Sequence, residues 1–443
     1  MKRFSAVILT AALMAASSYQ PALADLDRAH TLKVYNWADY IDEDLISEFE
    51  EWYTENTGEQ VQVLYQTFDI NEVMLTKIET GHEDYDVVCP SEYIIERMLR
   101  NDLLLLLDRN YGQVPDYTTN VSPYAIEQFN NISSNGRNAN DYAVPYMWGT
   151  TGIMYNTDFM TREEASTWGI LWDQKYEGRI LMKDAVRDTY GSLMMYIRQD
   201  ELKSGKITRE TNMNDVSDES LKLFEDTLIS AKKNILGWEV DFGKERMAQG
   251  KAWVNMTWSG DAMWAMDEVS EEVSLDYVVP LEGSNVWFDG WVIPRYAVNT
   301  KAANWFINFM CTSENAIRNM EAIGYVSAIA TPEVMEYKID ESCEPIDLTY
   351  FFGPDADSIT INAVQYPDAG TIARCALMHD CGNRTEAVMD MWSRVKGDSL
   401  HTNIIIIIAV AAVAIIAFIV ARSISNRKKS QRRTNSKTGT HKH

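Results

Sequence analysis

The sequence predicts an α/β protein of two lobes, and three observations predict it. Strand-like and helix-like runs alternate from residue 32 to residue 101, the pattern of a doubly wound sheet. About 375 residues lie between the apolar runs at the two chain ends, ample for a large core and more in keeping with two lobes than one. An extended stretch at 142–156 can carry the backbone from one lobe to the other, and 286–294 is extended again.

Taken in order, Leu32, Val34 and Tyr35 mark a first strand over 32–36, which stops at Trp37, Asp39 and Tyr40. Residues 43–57 place Leu45, Ile46, Phe49, Trp52 and Tyr53 at helical spacing, with Gly58 as the stop. Gln60–Gln66 alternates as a strand, 71–80 reads as a helix ending at Gly81, Tyr85–Cys89 as a short buried strand, and 92–101 as another helix. Residues 161–280 hold a second set of helices and strands with a polar surface stretch at 200–220, and Asn304–Ala322 reads as one helix. The lobes expected from this are 31–145 plus about 288–340, and 146–287 plus about 341–396.

The chain ends are addressing segments. Lys2 and Arg3, the apolar run Phe4–Ala16 and Ala22-Leu23-Ala24 form a signal peptide expected over 1–24. Ile404–Val420 carries no charge or proline and at 1.5 Å per residue spans roughly 26 Å, so a C-terminal transmembrane helix is expected over 404–421. The tail 422–443 holds eight basic residues, from Arg422 to Lys442, and no acidic one, which the positive-inside rule assigns to the cytoplasm. The expected location is therefore the plasma membrane, single-pass, with the bulk of the chain on the extracytoplasmic side (periplasm or cell surface) and the tail in the cytoplasm.

Formal net charge is −25, and setting aside eight basic residues of the tail and two of the signal region leaves −35 for the exported part. Such a body excludes binding to nucleic acid by general electrostatics and attracts cations. Cys89, Cys311, Cys343, Cys375 and Cys381 are odd in number and lack C-x-x-C spacing; Cys375 and Cys381 are near enough in sequence to bridge if their surroundings allow it. There is no G-x-S-x-G, H-E-x-x-H or P-loop, no Tyr-Tyr pair and no D-x-D-x-D-G, so no catalytic residue, metal site or cofactor is expected.

Carboxylates and aromatics recur together after the extended segments. Trp37, Asp39 and Tyr40 follow the first; Ser91, Glu92 and Tyr93 follow the third; Trp258 and Asp261 sit in MTWSGDA, and Trp287 and Asp289 in NVWFDGW. Any one pair reads equally as a core tryptophan with a turn or cap aspartate. Four of them read as a cleft for an organic cation with an aliphatic stem, because aromatic faces attract ammonium groups and carboxylates accept charge-assisted hydrogen bonds.

The runs VYNWADYI, CPSEYIIERM, AVPYMWGTTGIMYN, WDQKYEGRILMKD, WSGDA, VWFDGWVIP and IGYVSA, in this order across 31–396, resemble the spermidine- and putrescine-binding proteins of polyamine ABC importers. The resemblance implies a periplasmic-binding-protein fold of the second type, two α/β lobes closing on a ligand. It also implies a non-enzymatic role: putrescine or spermidine is handed to an ABC permease and its ATPase subunits. By position, it implies an aromatic wall from Trp37 and Tyr40, an acidic amine ligand at Asp39, and a second loop with Ser91 and Tyr93. It implies stacking by Trp258 and Trp287, and further acidic ligands at Asp188, Asp261 and Asp289. Asp188 stands where the family has a glutamate, and Asp261 matches an aspartate of the putrescine-type members. Ala38, Ala185 and Met378 replace a Ser or Thr, an aspartate and a glutamine, which alters the end that would hold a longer ligand and favours putrescine over spermidine. A membrane-tethered amine sensor, or a binding protein for another small organic cation, is the alternative. The sequence expects contact with the membrane through the C-terminal helix.

Overall fold

The computed structural model describes residues 27–270 and 272–397. The signal peptide expected over 1–24, and the span and basic tail expected over 404–443, lie outside the described residues. The described residues divide into two compact units, one running to Asp215 and including Ala231–Gly382, the other made of Val216–Ser230 and the residues from Asn383 on.

The first unit opens as the alternation predicts. Strand Thr31–Trp37 pairs in parallel with Gln62–Phe68 and with Val87–Val88, and helices Asp44–Thr57, Asn71–Glu79 and Glu92–Arg100 follow the three strands in turn. Leu45, Phe49 and Tyr53 recur every four residues and are the buried face of the first helix, where Phe49 meets Phe306 edge-on at 5.1 Å. Gly58 ends that helix by taking a φ of 73°, which costs a residue without Cβ little, and its N–H caps the Thr54 carbonyl.

A second parallel set consists of Val254–Trp258, Ile180–Lys183 and Ile235–Glu239. Two long antiparallel strands join the sets. Ala143–Asn156 pairs through residues 143–150 with Ser284–Val292, and through 151–155 with Val254–Trp258. Ser284–Val292 reaches back to Val88 in the first set. Both long strands are buried throughout, so they are the shared floor of a two-lobe α/β fold.

Two expectations are corrected. The single helix over 304–322 is two, Thr300–Met310 and Ser313–Ile323, because Thr312 takes extended backbone and its hydroxyl accepts the Asn315 N–H, starting a new helix. The fold class is cut back to the two-lobe α/β fold: among the described residues no helix is long and apolar enough to cross a membrane, and the segment 404–421 expected to do so lies outside them. The longest, such as Asp44–Thr57, has 14 residues and reaches roughly 21 Å against a hydrocarbon core of about 30 Å. Cys375 and Cys381 are both free thiols.

In the second unit, helices Asp218–Ala231 and Thr385–Gly397 are held by a two-pronged pair from Arg394 Nε and Nη2 to Glu225, each 2.9 Å, and by Arg384 with Asp218.

Candidate functional site

Strand ends and helix starts deliver the side chains. Tyr40 follows strand Thr31–Trp37, and Ser91 immediately precedes helix Glu92–Arg100. Asp188 lies in the first turn of Val186–Ile197, and Asp261 in the first turn of Ser259–Asp267. Open α/β sheets place ligands at such edges, and helix N-termini favour negative charge. Asp289 comes instead from the crossing strand Ser284–Val292, at a shift of register: it opposes Met147 while Gly290 opposes Pro145, leaving Tyr146 as a bulged residue. Pro145 has no ladder N–H to lose, so the irregularity is well placed.

Asp289 is 6% exposed and accepts the Ser91 hydroxyl at 2.7 Å and the Tyr40 hydroxyl at 2.8 Å. Burial pushes its carboxyl up to about 7, although both hydroxyls favour the charged form. Ser91 stands at the helix N-cap, but its hydroxyl goes to Asp289 and makes no cap bond. Asn71 ties this corner together, donating to Ser91 Oγ at 3.0 Å and to Tyr93 Oη at 3.2 Å, while Tyr93 donates to Glu72.

Asp188 collects donors on one oxygen: Trp258 Nε1 at 2.9 Å, Asn285 Nδ2 at 3.2 Å and Thr151 Oγ1 at 3.4 Å. Burial raises its pKa too. Asp261 is differently placed. Its Oδ2 meets Lys183 Nζ at 2.8 Å, and its Oδ1 accepts the Tyr325 hydroxyl at 2.8 Å. Tyr325 in turn lies edge-on to Tyr40 at 5.2 Å and to Trp287 at 5.7 Å, which makes the aromatic lining continuous. Two glycines permit this approach. A Cβ at Gly149 would stand 2.6 Å from both Ser259 Oγ and Trp287 Cζ2, and one at Gly260 would stand 2.4 Å from the Tyr325 ring.

The structure therefore brings together Tyr40, Ser91, Asp289, Trp287, Asp188, Trp258 and Asp261, with Tyr93 joined through Asn71. Trp37 and Asp39 are not bonded into this set. Trp37 is half-buried and packs on Phe68 at 4.5 Å. Asp39 is exposed in a turn with φ 50°, a left-handed conformation that aspartate tolerates better than most residues. Sequence reasoning missed Tyr325, Lys183 and Asn285, and named Glu92 among the paired carboxylates without placing it in the ligand set. Tyr325 sits in IGYVSA and was within reach; Lys183 carries no local signal. Glu92 is fully buried beside the site, accepts the Phe288 N–H at 3.1 Å, and has its pKa pushed well up by burial.

Two α/β halves sharing two crossing strands, with buried carboxylates and aromatic rings meeting around those strands and no ion pair on Asp188 or Asp289 among the described residues, define a protein built to hold a small polar solute. The chain belongs to the bacterial extracellular solute-binding protein family, which residues 44–339 match. It is 26% identical over 397 residues to the spermidine/putrescine-binding periplasmic protein of Escherichia coli, covering 89% of this chain and 99% of that one. It is 28% identical over 319 residues to the putrescine-binding periplasmic protein PotF of the same organism, covering 69% and 80%. The crystal structure of the spermidine/putrescine ABC transporter substrate-binding protein PotD from Streptococcus pneumoniae matches with a TM-score of 0.61 and 32% identity, over 83% of this chain and 98% of that one. The motif resemblance to polyamine-importer binding proteins thus holds. The expected location does not: the E. coli relatives are periplasmic proteins and no described helix can span a bilayer, so single-pass membrane insertion with a cytoplasmic tail, and membrane contact through a C-terminal helix, are set aside.

Proposed function

We propose that the protein is the substrate-binding component of an ABC importer. It captures a polyamine, putrescine in preference to spermidine, by closing two lobes about the crossing strands, and delivers it to the permease without catalysing a reaction. The lobe limits expected above, 31–145 with about 288–340 and 146–287 with about 341–396, belong to this proposal. So does the ligand set Trp37, Asp39, Tyr40, Ser91, Tyr93, Asp188, Trp258, Asp261, Trp287 and Asp289.

One observation carries it: Asp289 and Asp188 are buried carboxylates with hydrogen-bond donors but no counter-ion among the described residues, beside Trp287, Trp258, Tyr40 and Tyr325. A buried carboxylate is costly until a cation joins it. An alkylammonium supplies that charge, and its methylenes suit the rings, each favourable face contributing about 0.5–2 kcal/mol. The names of the relatives point the same way. Met378 is buried beside Asn285, its Sδ 3.9 Å from the amide nitrogen, where the family's glutamine would offer a polar end; this supports the shorter ligand.

A thermal-shift panel on the full chain with putrescine, spermidine, γ-aminobutyrate and a neutral sugar tests the proposal, since a ligand that binds only the folded state raises the melting temperature by mass action. Stabilisation by the sugar alone refutes the polyamine assignment. A larger shift with spermidine than with putrescine refutes only the preference.

A further inference from the structure

Lys183 ends the buried strand Ile180–Lys183, and its side chain is 0% exposed. Its ammonium donates to the Val240 carbonyl at 2.6 Å and to Asp261 Oδ2 at 2.8 Å, stands 3.2 Å from Glu239 Oε1, and lies 4.0 Å from the centre of the Trp258 ring. Carboxylate, carbonyl and aromatic face are the groups that an amine site is made of. Chemically, a lysine side chain is a tethered n-butylammonium. The seat is also continuous with the rest of the site: Trp258 gives its indole N–H to Asp188, and Asp261 receives the hydroxyl of Tyr325, which touches Tyr40 and Trp287.

We propose that Lys183 is a specificity-determining residue: its ammonium permanently occupies one amine seat of the site, so the chain accepts polyamines with one nitrogen fewer than its frame of rings and carboxylates would otherwise hold. This rests on the polyamine assignment made above. Two carboxylates without a counter-ion, Asp289 and Asp188, remain for the ligand, whereas the charge of Asp261 is already met from within the chain. Burial opposes the charge on Lys183, but Asp261 and Glu239 together hold its pKa above the ordinary value. Lys244 Nζ stands 3.9 Å from the other oxygen of Asp261, so that carboxylate already faces two ammonium groups of the chain and offers little to a further cation. An ordinary structural ion pair would need only the carboxylates. Here the ammonium also covers the face of Trp258, a ring that is otherwise part of the lining.

The test compares full-length wild type, Lys183→Ala and the double variant Lys183→Ala/Glu239→Gln, which leaves one carboxylate fewer without a partner and protects the fold. Calorimetry with putrescine and spermidine gives the ratio of the two affinities. In wild type the third nitrogen should gain less than tenfold; spermidine binding more than tenfold tighter than putrescine overturns the proposal without any variant. In either variant the ratio should move at least tenfold toward spermidine, and n-butylammonium at millimolar concentration should raise the melting temperature of the variant further than that of wild type, whose Lys183 already fills the seat. An unmoved ratio in a folded variant overturns the proposal. If no amine binds wild type, the polyamine assignment itself has failed, an outcome distinct from amine binding that ignores Lys183.

Discussion

Asp289 makes amine binding depend on pH in a way that can be worked out beforehand. In the free protein its carboxyl titrates at about 7, chiefly because it is buried. An ammonium ligand needs it ionised, so observed affinity follows the ionised fraction, about 90% at pH 8 and about 10% at pH 6. Binding should weaken roughly tenfold across that interval, about 1.4 kcal/mol, and at pH 6 should release close to one proton per ligand. The ligand adds nothing to this, because alkylamines stay protonated until well above pH 8. Titration calorimetry in buffers of different ionisation enthalpy measures both quantities. Asp188, whose pKa burial also raises, contributes with the same sign, so Asp289→Asn is the control that isolates one group. The sign for stability follows from the same shift. The contribution of Asp289 is fully present below its unfolded value near 3.8 and is lost as pH rises through about 7, so stabilisation by an amine should be larger at pH 8 than at pH 6. Affinity that is flat from pH 6 to 8 with no proton release, or a dependence that persists in full in Asp289→Asn, would refute the reasoning.

Three further outcomes are expected. Tyr40→Phe and Ser91→Ala each remove one donor from Asp289 and should weaken amine binding by about 1–2 kcal/mol, with the carboxyl titrating higher still; calorimetry at pH 8 checks the first and the pH profile the second. Gly149→Ala forces a methyl group against Ser259 and Trp287 and should destabilise the fold by about 1–3 kcal/mol in urea unfolding while also lowering amine affinity. His379 bridges Glu210 at 2.8 Å and Glu96 at 3.0 Å, and those bonds push its pKa up to about 10. Its contribution to stability is whole below about 6.5 and lost as pH rises through about 10, so the gap between wild type and His379→Gln should close between pH 7 and pH 10.5.

Much of the fold was legible because its signals are local. The stripe Leu45, Phe49, Tyr53 and the stop at Gly58 place a helix over 43–57, and the observed helix is Asp44–Thr57. The first strand read over 32–36 is observed as Thr31–Trp37, and the extended chain with turns read over 142–156 is one continuous strand, Ala143–Asn156. The reading of 304–322 as a single helix shows the limit of periodicity, since apolar spacing runs on through Thr312 whereas the hydroxyl of that residue starts a new helix. For the site, coupled aromatic and acidic residues after extended segments were visible in the chain; Tyr40 and Ser91 meet Asp289 directly and Trp258 meets Asp188, whereas Trp287 and Asp261 are linked to them through Tyr325. Tyr325 was visible too, inside IGYVSA, but without an acidic neighbour to mark it.

By itself the sequence determined the alternating strands and helices of residues 32–101, that the bulk of the protein is acidic, and which motifs it shares with polyamine-importer binding proteins, because periodicity, composition and motif order are properties of the linear chain. Only the tertiary structure decided how the carboxylates differ. Asp289 owes its titration near 7 to burial at a bulge of two crossing strands. Asp261 owes its counter-ion to Lys183, 78 residues away in the chain, and Lys183 is buried with Glu239 by the pairing of strands Ile180–Lys183 and Ile235–Glu239. Charge pairing and desolvation act through space over a few ångströms, and sheet order, not sequence distance, sets which groups come that close.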